Sequence, residues 1–266
     1  MVLNKFLKTI KSINTIDGAV DFLRSNFDFT DDVEKALHYS IDSHKTQFRK
    51  SGEPYVVHPI LVASITAHYS NDEHMVISAL LHDVVEDTDV TITQIEEEFG
   101  VDVACIVDGL TKIVEIREHE LSTSGDEKKL LSSALTFRKM LIASIKDVRI
   151  MVVKLCDRLH NMLTLTALSP AKQRKISEET LVVYAPIAHR LGISTIKNSL
   201  EDLSFSFLFP DEFLKIDKHI KEYQQKTQLN LNHFLSNTKM LLEKNGFLDA
   251  DVQIYSRVKH YYSIYL

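Results

Sequence analysis

Apolar residues recur along this chain at the three- and four-residue spacing of amphipathic helices, while the two-residue alternation of half-buried strands is scarce. "TDDVEKALHYSIDSHK" opens on Thr30, a cap candidate followed by acids that suit a first helical turn. "TITQIEEEFG" carries a capping-box pattern at Thr91–Gln94 and stops at Gly100, after which "VDVACIVDGLTKIVEI" continues as a second helix. A Ser-Gly turn in "RKSGEPYVVHP" leads into a helix reading "HPILVASITAHYS". From 148 to 208 nearly everything is helix-compatible, with breaks near Pro170 and around Gly192. "REHELSTSGDEKK" (117–129) lacks an apolar stripe and reads as a surface loop between helices. After Pro210 a long Lys/Gln/Asn-rich amphipathic segment runs to Gly246, and strand-like alternation enters only in "DADVQIYSRVKHYYSIYL". The pattern predicts an all-α domain over 1–200, then a helical linker and the start of a further unit over 201–266.

Composition narrows the class. Only 7 Gly and 5 Pro in 266 residues, with no Trp, agree with helices joined by short turns, and 44% hydrophobic residues supply an ample core. A net charge of −6 argues against direct binding of nucleic acid. Two cysteines, Cys105 and Cys156, give no disulfide framework, and Cys156 reads as a small buried hydrophobe. No apolar run approaches the roughly 18–20 residues of a membrane span, and the amphipathic start "MVLNKFLKTIKSI" has no cleavage pattern. A cytoplasmic protein without membrane association is expected.

One stretch breaks the ordinary pattern. "LLHDVVEDT" (80–88) begins as a buried helix, yet it carries His82, Asp83, Glu86 and Asp87. Burying an ionised carboxylate costs several kcal/mol unless something positive stands beside it. The nearest basic residues in sequence, Arg49, Lys50 and Lys112, lie far outside the segment. Read as one continuous helix, its three- and four-residue spacings put the imidazole and three carboxylates on one side. A second polar stripe, Asp157, His160, Asn161 and Thr164, runs through the apolar "VKLCDRLHNMLTL". A divalent metal resolves the charge problem: His58, His82, Asp83 and Asp157 form a mixed nitrogen and oxygen set suited to Mn²⁺, Zn²⁺, Fe²⁺ or Ni²⁺, with the carboxylate share favouring the harder end. Such an ion acidifies water and polarises a phosphoryl oxygen, and Glu86 and Asp87 are nearby acids able to orient or deprotonate that water.

The order His…His-Asp…Asp resembles the HD superfamily of metal-dependent phosphohydrolases. The strings "RKSGEPYVVHP", "ALLHDVVEDT", "FGVDVACIVDGLTKI", "VKLCDRLHNM" and "ISEETLVVYAPIAHRLGIS" resemble, in order, the N-terminal hydrolase domain of the long RelA/SpoT-type stringent-response enzymes. "SRVKHYYSIYL" resembles the opening of that family's α/β synthetase domain, so a chain ending before the synthetase chemistry is expected. The resemblance implies an HD-type helical bundle that hydrolyses the 3′-pyrophosphate of guanosine tetra- and pentaphosphate with Mn²⁺. It assigns His58, His82, Asp83 and Asp157 as metal ligands, and Glu86 and Asp87 as the acids that set up water attack. Arg49, Lys50 and Ser51 match the loop that holds the guanine end, where a planar guanidinium can stack on a purine. Asn161 and Thr164 are expected near ribose and base. Lys45 and Arg158 are candidates for phosphate charge, Arg158 equally for a structural ion pair. His189 and Arg190 read as helix-end residues that complement the dipole. The longer parent is expected to associate with the ribosome or regulatory proteins. Two alternatives remain open on the residues: another HD-type nucleotide phosphohydrolase, and a non-catalytic nucleotide-sensing module.

Overall fold

The computed structural model describes residues 5–120, 142, 147–247, 254 and 259–266. Among these the chain is helical, and its sole β-type pairing is an isolated antiparallel bridge between Phe48 and Pro54. The early helices are α1 (Lys5–Ser12), α2 (Ile16–Arg24), α3 (Asp31–Ser43) and α4 (Val57–Tyr69). Then come α5 (Glu73–Leu81), α6 (Val84–Asp87), α7 (Ile92–Glu120) and α8 (Val148–Leu163). A short 3₁₀ turn (Leu165–Ala167) leads to α9 (Pro170–Glu179), a π-turn (Thr180–Tyr184) and α10 (Ala185–Arg190). The chain closes with α11 (Ser194–Leu208), α12 (Pro210–Lys244) and α13 (Tyr261–Tyr265).

Local chemistry explains several boundaries. Thr30 caps α3 by accepting from the Val33 amide. Thr91 and Gln94 form the expected reciprocal capping box, the Thr91 amide donating to Gln94 Oε1 at 2.8 Å and the Gln94 amide to Thr91 Oγ1 at 3.4 Å. Gly100 interrupts α7 with φ 85°, ψ 169°, a conformation that favours glycine and separates the two predicted helices. Gly109 brings α7 close to α8: a β-carbon there would collide with the Ile150 side chain.

The core is organised around α4. From Val57 to Ala67 every residue of it is buried, as expected of a helix apolar on all sides. It packs against α2, α5 and α8, while α3 and α7 cover α5, α11 and the π-turn pack on α8, and α9 and α10 pack on α11 and the π-turn. Phe6 of α1 stacks on His68 at 4.1 Å, seating the amphipathic N-terminal helix on the bundle. Cys156 is fully buried, and burial pushes its thiol up to about 12, as befits a packing residue.

Two expectations change. Arg117–Glu120 prolong α7 rather than start a loop, and residues 121–129 of the expected loop lie outside the described residues. At the C-terminus Tyr261–Tyr265 is helical where alternation suggested a strand. Its aromatic side chains pack against Phe205, Phe209 and Phe213 of α11 and α12, so tertiary contacts rather than strand propensity decide its form. The rest of the stretch expected to open an α/β unit, 248–253 and 255–258, lies outside the described residues.

Candidate metal centre and nucleotide cavity

Three segments converge at the buried end of the bundle. His58 stands on the first turn of α4, His82 and Asp83 join α5 to α6, and Asp157 lies midway along α8. Ligating atoms of His58, His82 and Asp83 all lie within 4.8 Å of one another. Asp157 Oδ1 lies 3.3 Å from His58 Nε2 and 3.9 Å from His82 Nε2, and Asp83 Oδ2 is 3.5 Å from His58 Nε2. The four expected donors are therefore together.

The helix expected through 80–88 is broken, and the break makes the site. In a continuous helix adjacent residues point about 100° apart and cannot face one centre. Here α5 ends at Leu81 and α6 starts at Val84, with Asp83 at φ −96°, ψ −7° between them. Neighbouring His82 and Asp83 can then both turn inward, His82 Nε2 lying 3.1 Å from Asp83 Oδ1.

Proton bookkeeping tests whether this set suits a cation. His82 Nδ1 lies 2.8 Å from the Ala79 carbonyl, which only accepts, so the proton is on Nδ1 and Nε2 carries a lone pair. That Nε2 is buried and has no hydrogen-bond partner. It faces carboxylate oxygens, which are also acceptors. Acceptors confronting acceptors in a buried pocket call for a positive ion, and two histidines with two carboxylates fit a divalent metal.

Part of the missing positive charge comes from the protein itself. Lys154, 7% exposed on α8, places Nζ 3.0 Å from Asp157 Oδ2. Burial opposes its charge, but Asp157, Tyr184, Glu86 and Asp83 outweigh it and hold the ammonium above its ordinary range. Burial likewise disfavours ionised Asp157 and Asp83. Lys154 nevertheless holds Asp157 well below the usual carboxylate range. Glu86 behaves oppositely: desolvation first, with Asp83, Asp157 and Asp87 adding repulsion against the pull of Lys154, pushes it up to about 8. Asp87 is exposed beside it, and the Tyr55 hydroxyl lies 2.8 Å from both Asp83 Oδ2 and Asp87 Oδ2. One hydroxyl proton serves two carboxylates, which ties the acid pair to the metal pocket.

A cavity of about 400 Å³ opens above Asp157 and Lys154. Its rim is the loop 47–55, pinned by the Arg49 amide to the Glu53 carbonyl and the Tyr55 amide to the Gln47 carbonyl, each at 2.9 Å. Gly52, at φ 98°, provides the expected turn. Arg49, Lys50 and Ser51 line the cavity on this side, Asn161 and Thr164 on the other, and Leu165, Leu168 and Ile176 make an apolar wall. Arg158 also lines it, but its guanidinium is committed: it pairs with Glu179 at 3.0 Å and lies 3.8 Å over the Tyr184 ring. The π-turn carries that ring. Lys45 is exposed on the turn after α3 and is not among the cavity's lining residues.

Sequence reasoning gave no role to Lys154, Tyr55 or His160. His160, 2% exposed, sets Nδ1 2.8 Å from His58 Nδ1, and burial followed by the charges of His58 and Arg49 holds its pKa well below the usual imidazole value. For Lys154 and His160 the available signal was a polar residue inside an apolar helical run. Tyr55 had none beyond its place before His58.

An all-helical bundle with a buried two-histidine, two-carboxylate pocket defines a candidate metalloprotein with an adjoining cationic cavity. The chain belongs to the HD domain family, whose model matches residues 36–194. It is 43% identical over 224 residues to a Haemophilus influenzae protein named guanosine-3′,5′-bis(diphosphate) 3′-pyrophosphohydrolase, covering 84% of this chain and 32% of that one. It is 40% identical over 233 residues to the Escherichia coli bifunctional (p)ppGpp synthase/hydrolase SpoT, covering 88% and 32%. A Myxococcus xanthus protein named GTP pyrophosphokinase is 43% identical over 235 residues, covering 88% and 30%. The chain thus spans about a third of the length of these relatives. A solved structure reported under "A metazoan ortholog of SpoT hydrolyzes ppGpp and plays a role in starvation responses" matches with TM-score 0.43 and 25% identity, over 73% of this chain and 96% of that one. No helix among the described residues is long and apolar enough to cross a membrane.

Proposed function

We propose that this chain hydrolyses the 3′-pyrophosphate of guanosine tetra- and pentaphosphate, giving GDP or GTP and pyrophosphate, with Mn²⁺ as the metal, in the cytoplasm as part of the stringent response. The relatives' names divide between hydrolase and pyrophosphokinase, and each name describes a protein about three times longer. The observation that carries the hydrolase reading is the clustered set His58, His82, Asp83 and Asp157, of which Asp157 lines a cavity rimmed by Arg49 and Lys50, with Glu86 close enough to feel Asp83 and Asp157.

The residues divide the work. Arg49 and Lys50 offer positive charge to a polyanionic nucleotide, the Arg49 plane and the wall of Leu165, Leu168 and Ile176 suit a purine, and Ser51, Asn161 and Thr164 supply polar edges. When bound, the metal supplies Lewis-acid polarisation of a phosphoryl oxygen and acidifies water. Glu86, pushed up to about 8, is poised to take and return a proton near neutral pH, and Asp87 shares the Tyr55 hydroxyl that holds this corner in place. Lys45, exposed and away from the cavity lining, we assign to long-range attraction of phosphate rather than contact. We assign residues 1–200 to the hydrolase domain and 201–266 to a linker and the beginning of a synthetase domain.

The test is pyrophosphate release from guanosine tetraphosphate by metal-stripped protein, with Mn²⁺ added back. Mn²⁺-dependent appearance of GDP and intact pyrophosphate supports the reading. No release with nucleotide still bound would turn the pocket into a sensor site.

A further inference from the structure

The loop 47–55 leaves one aromatic side chain standing in water at the cavity. Phe48 is 66% exposed, and it lines the cavity beside Arg49 and Lys50. A ring in that position forgoes the burial that an aromatic side chain normally gains. Phe209, Phe234 and Phe247 are exposed as well, but among the described phenylalanines Phe48 alone lines the cavity.

The backbone fixes where this ring stands. Phe48 pairs with Pro54 in the antiparallel bridge. On either side of it the Arg49 amide donates to the Glu53 carbonyl and the Tyr55 amide to the Gln47 carbonyl. Successive side chains of extended backbone leave on opposite faces. The two neighbours of Phe48 are both tied to the body of the protein: Gln47 Nε2 donates to the Asp87 carbonyl at 2.8 Å, and Arg49 Nη2 to Asn161 Oδ1 at 2.9 Å. Phe48, between them, is left at the mouth.

The lining of the cavity sorts a ligand by its ends. Asp157 and Lys154 mark the side next to the metal pocket, where phosphates belong, while Leu165, Leu168 and Ile176 offer an apolar wall. We propose that Phe48 is a base-binding residue whose ring stacks on the outer part of a purine, with the Arg49 guanidinium at its inner part. The inference rests on the nucleotide reading of this cavity and adds to it the residue that receives the base at the mouth. Stacking of this kind senses the face of a base and not its hydrogen-bonding edge, so Phe48 supplies affinity for a nucleotide over a bare polyphosphate.

The experiment compares wild type with Phe48→Ala, Phe48→Leu and Phe48→Trp, in Mn²⁺, by pyrophosphate release from guanosine tetraphosphate. The position is exposed, so all three variants should melt with wild type. Phe48→Ala and Phe48→Leu are expected to lower kcat/KM about 5- to 30-fold, with the loss falling on KM, and Phe48→Trp to match or exceed wild type. The chain has no tryptophan of its own, so Phe48→Trp is also a lone reporter. Saturating guanosine tetraphosphate should quench its emission at the start of turnover, and inorganic pyrophosphate should leave it unchanged. Phe48→Ala with the kcat/KM of wild type would overturn the proposal, as would an unquenched tryptophan. Phe48→Leu equal to wild type would overturn it too, since a merely apolar cover would then suffice. Wild type that neither binds nor hydrolyses guanosine tetraphosphate would instead overturn the nucleotide reading, and the assignment of Phe48 with it.

Discussion

Among the described residues histidines meet buried carboxylates at two places, and one of the two has the make-up of a metal site. At the C-terminal end Asp202, 4% exposed on α11, accepts from His260 Nδ1 at 2.8 Å and from the Tyr262 amide at 2.9 Å. Its lone pairs meet protein donors, and the contact simply fastens α13 to α11. In the pocket of His58, His82, Asp83 and Asp157 the same residue types face one another with lone pairs, and His82 Nε2 has no partner. Composition and proximity do not separate the two clusters. The supply of donors does, because a buried acceptor without one needs a cation.

That contrast can be broken most sharply at Asp83. Asp83→Ala should abolish Mn²⁺ binding in a titration and pyrophosphate release in an assay; retention of both would erase the distinction between the clusters. The next largest effect concerns the internal cation. Lys154→Met leaves Asp157 without its buried partner, which typically costs about 3–5 kcal/mol. The loss should be full in metal-free protein and smaller with Mn²⁺ present, read by denaturant melts in both states. Asp202→Asn should weaken only the C-terminal fastening, by about 1–3 kcal/mol, with Mn²⁺ affinity unchanged. A change in affinity there would mean that the two clusters communicate.

The smallest effect sharpens the comparison by pH. Glu86 has its folded pKa raised to about 8, so between its ordinary value of 4.5 and that point the folded state binds more protons than the unfolded one. Its contribution is therefore most favourable below pH 4.5 and is lost as pH rises toward 8. Metal-free Glu86→Gln should melt with wild type at pH 4.5 and increasingly above it on approaching pH 8. A constant difference across that range would contradict the desolvated environment of this carboxyl. On the proposed reading, with metal bound, the same position should matter as a proton carrier, with Glu86→Ala slowing hydrolysis about 10²-fold or more while leaving metal bound.

Much of this arrangement is legible in the amino-acid order because it is local. The caps at Thr30 and Thr91, the stop at Gly100 and the turn at Gly52 depend on residues within a few positions, and the structure reproduces them. The convergence of His58, His82, Asp83 and Asp157 was readable for a related reason: polar residues inside apolar runs must meet something. What could not be read depends on chain packing. The break between Leu81 and Val84 follows from where α4 and α8 place His58 and Asp157, and nothing in "LLHDVVEDT" itself announces it. Lys154 supplies charge that was sought only among the neighbours of 80–88: it pairs with Asp157 one turn away on α8, and only folding brings that helix beside Asp83 and Glu86. Arg158, readable as either a phosphate contact or an ion-pair partner, sits against Glu179 and Tyr184, and neither contact is visible from its own segment.

The burial of α4 from Val57 to Ala67 has a further consequence for how the protein fails. His58 stands on the buried stretch of that helix, so no segment can peel away and take it along while the bundle stays intact. Enzymes whose active groups sit on surface loops often lose activity on warming well before they melt. If the proposed hydrolysis holds, heat inactivation and collapse of the core should be one event, with pyrophosphate release ceasing at the melting transition.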